Sequence, residues 1–415
     1  MTDASTKIFK AIDLQKELLV SLQRDLTALP AIAPESGGDG EAAKAELLIK
    51  YLKAFKLGKI ELIEAPDSRV SSGKRPNLLL TAEGLQPAQR LLIMTHLDVV
   101  PPGDLREWQT PPFELVQKGD LLFGRGTEDN QQSLVASIFA LKAVLESGYR
   151  PVPTVDLLFV ADEETGSNYG IKYLIENRPE LFKGQVQALV PDSGKPDSSQ
   201  LEIAEKSILW LKFSVKGKQA HASTPQLGAN AMVAGSDLSL RLYRLKDKFS
   251  QQDELFEPPS STFSPTKREA NVPNINTIPG TDVFYLDCRI LPSLEVDKVL
   301  EIIKNICLAI EEEYRVQITT EIVQRESSPA SDPQGTLVKN LAYFIKQVYG
   351  VDARPAGIGG GTVAAHLRRL GIETVVWSTI DNTLHMPNEY CRLTNLLGDA
   401  KVMAMLMLAE LSTGL

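Results

Sequence analysis

The sequence predicts an α/β fold: a layered, discontinuous domain interrupted by a smaller α+β module. Three observations point there. The runs NLLLTAEG, RLLIMTHLDVVPPG, TVDLLFVADEETGS and ALVPDSGKP are short, apolar and not strictly alternating, which suits strands buried on both faces of a sheet. Helical stretches separate them, notably NQQSLVASIFALKAVLESG, with Leu134, Ile138, Leu141 and Leu145 on one side, and YGIKYLIENRPELF. From about residue 208 the strands change character, and LWLKFSVKG and DVFYLDCRILP alternate apolar with polar residues as in a sheet with one wet face.

The elements follow in order. MTDASTKIFKAIDLQKELLVSLQRDL predicts one N-terminal helix, with Ile8, Ala11, Ile12, Leu18, Leu19 and Leu22 in register and Gln15 as a polar gap; it is charged throughout, unlike a signal peptide. The four buried strands and their helices come next. The inserted module reads as strand, helix from about Asn230 to Lys246, a polar and Pro-rich stretch over 249–273, strand, the helix VDKVLEIIKNICLAIEEEY and the strand RVQITTEIV. The α/β pattern then resumes with the helix GTLVKNLAYFIKQVYG, the Gly-rich turn GIGGGT, the helix TVAAHLRRLG and the strand IETVVWST. The expected division is therefore 1–207 and 323–415 for the layered domain and 208–322 for the insertion.

Composition narrows the class. The 415 residues are 43% hydrophobic and 23% charged, ordinary values for a globular protein with room for two domains. A net charge of -9 argues against nucleic acid, which selects a basic surface. No apolar run reaches the roughly 18 residues of a membrane span. Three scattered cysteines form neither a disulfide framework nor a metal-binding pair, so a reducing cytoplasm is the expected setting.

With only four histidines in the chain, the context of each is informative. In MTHLDVVP, His96 and Asp98 are two apart at a strand end, so their side chains share a face; a metal-bound imidazole gives its second nitrogen to such a carboxylate, although a core histidine paired with Asp reads the same way. Asp129 in GRGTEDNQQSL lies near a helix N-terminus, where the dipole favours a carboxylate, as it would for a plain cap. In VADEETGS, Glu163 and Glu164 are adjacent in an extended segment and point apart, so they serve different roles; a solvated acidic loop is the alternative, and Asp162 is expected to meet solvent. PDSG ends another run with Asp192, and LHMPNEY carries His385 after the strand VVWSTID. In α/β sheets functional groups gather beyond the carboxyl ends of strands. Taken together, two histidines and several carboxylates form a mixed N/O set that suits Zn, with Mn or Co as alternatives. Three carboxylate charges and a bridging hydroxide would balance two divalent cations.

This ordered set resembles the M20 family of dizinc exopeptidases and deacylases over essentially the whole chain, from HLDVVP through GRGTEDN, EETGS, PDSG, KGKQAHASTPQLGANA, NTIPG with DCR, and GGGT to LHMPNEY. The resemblance implies a three-layer zinc-exopeptidase-like catalytic domain and a ferredoxin-like lid that also makes a homodimer. It implies that His96 and Asp192 bind one zinc, Glu164 and His385 the other, and that Asp129 bridges them. Asp98 would orient His96, and Glu163 would be the general base that passes a proton from water to the leaving amine. His221 matches the histidine that stabilises the tetrahedral oxyanion, in many members from the opposite subunit. Asn276 and Arg289 match lid positions that hold substrate, and Gly361 and Thr362 a turn that approaches a substrate carboxylate; an ion pair for Arg289 and a plain turn for the glycines are the alternatives. The turn continues as GTVAAHLRR where many members read GTSDAR, and neither His366, Glu128 nor Lys206 has an assigned role. Asp192 leans towards amino- or dipeptidases, where Glu leans towards deacylases. The expected activity is hydrolysis of a short peptide; the alternatives are an N-acyl amino acid deacylase of the acetylornithine or succinyl-diaminopimelate type, a carbamoyl amino acid hydrolase, and a non-catalytic metal-binding scaffold, which would have no need of Glu163.

Overall fold

The computed structural model describes residues 3–411, which form two compact units. The first takes in the chain up to Ile203, Ser331–Pro355 and the chain from His366 onward; the second is Ala204–Ala330 with Ala356–Ala365.

An eight-stranded mixed sheet runs in the order Lys59–Pro66, Lys74–Ala82, Pro153–Val160, Gln86–His96, Gln185–Gly194, Glu373–Ser378, Gln200–Glu205, Arg354–Ile358. Its four middle strands, from Pro153–Val160 to Glu373–Ser378, are parallel. Those strands carry the runs RLLIMTH, TVDLLFV, ALVPDSG and ETVVWS because both faces are covered, every residue of Pro153–Val160 being buried, while NLLLTA lies on the neighbouring antiparallel strand Lys74–Ala82. The helix Gln132–Glu146 packs on the sheet and against the helix Leu393–Met407. The outer strand Lys59–Pro66, absent from the sequence reading, is covered on one side only.

The second unit is a four-stranded antiparallel sheet in the order Thr262–Arg268, Thr281–Ile290, Ser207–Lys216, Gln317–Glu326, packed on the helices Ala231–Tyr243 and Val296–Tyr314. Leu209, Leu211, Phe213, Val215, Phe284, Leu286 and Cys288 alternate into its core. Asn230 caps the first of these helices by accepting from the amides of Met232 and Val233. The stretch read as polar connection contributes the edge strand Thr262–Arg268, where Pro265 is tolerated because the pairing shifts beside it. The N-terminal helix is two helices, Asp3–Leu14 and Lys16–Thr27, divided at Gln15, whose side chain donates to Glu146 instead. Among the described residues no helix is long and apolar enough to cross a membrane.

Candidate active site

The carboxyl ends of the four parallel strands converge on one cluster in the first unit. His96 ends its strand, Asp192 lies near the end of Gln185–Gly194, Glu163 and Glu164 follow Val160, and His385 stands on the loop after Ser378. Asp129 sits in a non-helical turn just before the helix Gln132–Glu146.

Asp129 is the centre. One of its oxygens is 2.8 Å from His96 Nε2 and the other 3.2 Å from His385 Nε2. His96 Nε2 also lies 3.3 Å from Asp192, and His385 Nε2 3.0 Å from Glu164. Each imidazole nitrogen therefore faces Asp129 and one further carboxylate. Asn130 Nδ2 donates to Asp192 Oδ1 at 2.6 Å and fixes that carboxylate. The Glu163 carboxylate makes no hydrogen bond among the described residues, yet one of its oxygens lies within 4.8 Å of ligand atoms of His96 and Asp192.

Burial and close charges pull the groups of the cluster in opposite directions. Burial works against a charge on His96, but its bonds to Asp129, Asp192 and Asp98 outweigh it and hold the imidazole well above its ordinary range. His385 is lifted to about 10 by its bonds to Asp129 and Glu164. Burial and then the charge of Asp192 push Glu163 well above the carboxylate range, with His96 opposing. Burial also raises Glu164, against its bond to His385, whereas the two histidines hold Asp129 low despite its burial.

The mixed N/O donor set fits a divalent cation: ligand atoms of His96, Asp129 and Glu164, and likewise of His96, Glu163 and Asp192, lie within 4.8 Å of one another. Asp129 offers one oxygen to each side, and Glu164 Oε1 is buried with no hydrogen-bond partner among the described residues. Such an orphaned oxygen is costly unless a ligand takes it.

The chain around the cluster is tightly held. Asp98, 1% exposed, accepts from the amides of Glu163 and Glu164 at 3.1 and 3.0 Å. Its carboxylate lies 3.5 Å from His96 Nδ1, and its own main-chain oxygen is closer at 3.0 Å. Asp162 does not meet solvent as expected; it is buried, at positive φ, accepts from Thr165 and from the Tyr169 amide, and faces Arg75. A turn that aims its next two amides at Asp98 has to tuck this residue inward. Arg75 is in turn gripped by Glu41, which also accepts from the Asp162 amide. Glu41, Arg75, Asn130, Arg125 and Glu389 escaped the sequence reading.

The remaining expected residues lie in the second unit. His221 and Asn276 are brought together by the short pairing of Ala220–His221 with Thr277–Ile278, and His221 Nδ1 meets Ser223 Oγ at 2.7 Å. Arg289 is engaged by Asp287 and donates to the Gly359 carbonyl at 3.0 Å. Thr362 beside Gly361 spends its amide and hydroxyl on Glu205, at 2.9 and 2.7 Å.

A model of peptidase family M20/M25/M40 matches residues 92–409. The chain belongs to this family. Similar proteins include an uncharacterized metallohydrolase of Methanocaldococcus jannaschii, 38% identical over 406 residues that cover 94% of this chain and 98% of the relative. A succinyl-diaminopimelate desuccinylase of Acinetobacter baylyi is 24% identical over 383 residues, covering 91% and 94%. Among solved structures, the di-peptidase Dug1p of Saccharomyces cerevisiae matches with a TM-score of 0.70 at 19% identity over 98% of both chains. A dinuclear metal binding peptidase of the M20 family from Bacillus subtilis matches at 0.67 and 16% identity over 95% and 98%. At such identities the structures show the shared M20 fold. The chain is an M20 metallohydrolase, and its cluster of His96, Asp129, Glu163, Glu164 and Asp192 is a candidate metal site.

Proposed function

We propose that this metallohydrolase cleaves the peptide bond of a dipeptide or other short peptide at a two-metal site. The observation that carries the reading is the Asp129 carboxylate shared between His96 and His385, each with a further carboxylate of its own. His96 and Asp192 would hold one ion, His385 and Glu164 the other, and Asp129 would bridge; the N/O set suits zinc, with cobalt or manganese as alternatives. Bound there, the pair would polarise the scissile carbonyl and lower the pKa of water towards about 7.

The chain supplies the proton transfer. Among the described residues Glu163 is the one acid of the cluster whose carboxylate is not bonded to an imidazole or an amide, so it can take a proton from the attacking water and give it to the leaving amine. Asp98 fixes the backbone that presents it. His221 would stabilise the oxyanion, with the second unit acting as lid and as the contact of a homodimer. Three buried free cysteines suit a reducing cytoplasm.

The substrate reading follows the second unit. Arg289 and Thr362, positions that hold substrate in the family, are engaged by Asp287 and Glu205, which favours a neutral or cationic substrate end over a dicarboxylate acyl group. The N-acyl reading is kept by the desuccinylase among the relatives. Reconstituting the protein with Zn2+, Co2+ or Mn2+ and assaying dipeptides beside N-acetyl and N-succinyl amino acids separates them. Turnover of dipeptides with a free N-terminus is expected, and cleavage of N-acyl substrates alone would overturn the peptide reading.

A further inference from the structure

The two loops that carry Asp129 and His385 hold each other through buried carboxylates. Glu128, 3% exposed, accepts from the Asp381 amide at 2.6 Å, from the Thr383 amide, and from Thr383 Oγ1 at 2.9 Å. Glu389, 0% exposed, accepts from the amides of Glu128 and Asp129 at 2.9 and 3.1 Å through one oxygen. Its other oxygen takes Arg125 Nη1 at 2.6 Å, and Arg125 Nη2 donates to the His385 carbonyl at 3.3 Å. Each loop thus supplies the acceptor for the other's amides. Pairing of Leu121–Phe123 with Tyr390–Arg392 brings the two loops side by side.

Joining two loops does not require this. Buried carboxylates pay heavily for desolvation, and apolar contacts would tie the loops together at less cost. What several directed bonds add is a defined spacing. His385 needs it: the side chain is half exposed and its φ is 62°, so packing does not set the ring and the backbone must. We propose that Glu128, Glu389 and Arg125 form a reciprocal clasp that positions Asp129 against His385 and so sets the affinity of the metal ion on the His385 side. They are positioning residues, and the proposal rests on the reading of Asp129 and His385 as metal ligands.

The test is a cobalt(II) titration of the metal-free protein followed by visible absorption, on wild type, Glu128→Gln, Glu389→Gln and the double variant. Glutamine keeps the shape but turns an N–H towards a donor. Arg125→Lys is a milder version that cannot reach both Glu389 and the His385 carbonyl, and carries the comparison if the glutamine variants fail to fold. Glu202→Gln, which breaks the buried pair between the strand Gln200–Glu205 and Arg368 of the helix Ala364–Arg369, is the stability control. Wild type should bind two ions. The clasp variants should keep the first and bind the second about 10- to 100-fold more weakly with an altered spectrum, the double variant being no worse than the poorer single one. The control should melt earlier yet bind cobalt as wild type does. Unchanged second-ion affinity and spectrum in the clasp variants, or an equal loss in the control, overturns the clasp. Wild type binding fewer than two ions overturns the two-metal reading itself and the clasp with it.

Discussion

Replacing Asp98 by Asn isolates what holds the catalytic turn. The side chain is buried, and each of its oxygens accepts one amide, from Glu163 at 3.1 Å and Glu164 at 3.0 Å. However the Asn amide turns, its NH2 faces one of those N–H groups and leaves a buried donor unsatisfied. Such a loss costs about 1–3 kcal/mol. Displacing the outer support of a metal site costs about 10- to 100-fold, or about 1.4–2.7 kcal/mol, so the two scales agree. His96 is not the main route, because the main-chain oxygen of Asp98 stays 3.0 Å from Nδ1 after the substitution. We expect kcat to fall about 10- to 100-fold with KM little changed, and the urea-unfolding free energy of the metal-free protein to drop by about 1–3 kcal/mol. An Asp98→Asn enzyme that loses the stability but keeps wild-type kcat would refute the positioning of Glu163 by Asp98.

Other outcomes can be checked directly. Chelation should lower the melting temperature and readdition of Zn2+ or Co2+ restore it, since a ligand at a thousand times its Kd adds about 4 kcal/mol; a melt indifferent to chelator would count against a metal centre. Asp399 is buried and raised by that burial to about 6 from 3.8. A carboxyl raised in the folded state favours folding when protonated, so its contribution is full below about pH 4 and lost as pH rises through 6; Asp399→Asn should remove about 3 kcal/mol of that pH dependence from the unfolding free energy. A Cβ at Gly194 would sit 1.8 Å from the Ser378 carbonyl, so Gly194→Ala should push the two strands apart beside Asp192 and cost about 2 kcal/mol or more in unfolding experiments. If His221 serves the partner's site, mixing His221→Ala with Glu163→Ala should restore activity that neither has alone; no recovery in samples where mixed dimers have formed would place it in its own chain.

Much of this site was legible because each of its strands ends abruptly. MTH, VADEE and PDSG turn from buried Leu, Ile and Val to histidine or acid within a few residues, and that junction is visible in a single chain. The supports were not. Glu389 meets Arg125 across 264 positions and Arg75 meets Glu41 across 34, and no periodicity records such pairings. Asp162 reads like its two acidic neighbours, and only the fold, through Arg75 and the Tyr169 amide, draws it inward. The edge strand Thr262–Arg268 was hidden by Pro265, which a central strand would not accept but an edge with a shifted register does.

Glu163→Ala tests the account at its centre. In the metal-reconstituted enzyme, metal content by elemental analysis and turnover of a cleaved dipeptide are measured on the same sample. Loss of the general base should cut kcat by about 100- to 10,000-fold, while two metal ions per chain are retained because Asp129, Glu164, Asp192 and both histidines are untouched. Wild-type turnover with both ions bound would contradict the assignment of Glu163 and the mechanism built on it.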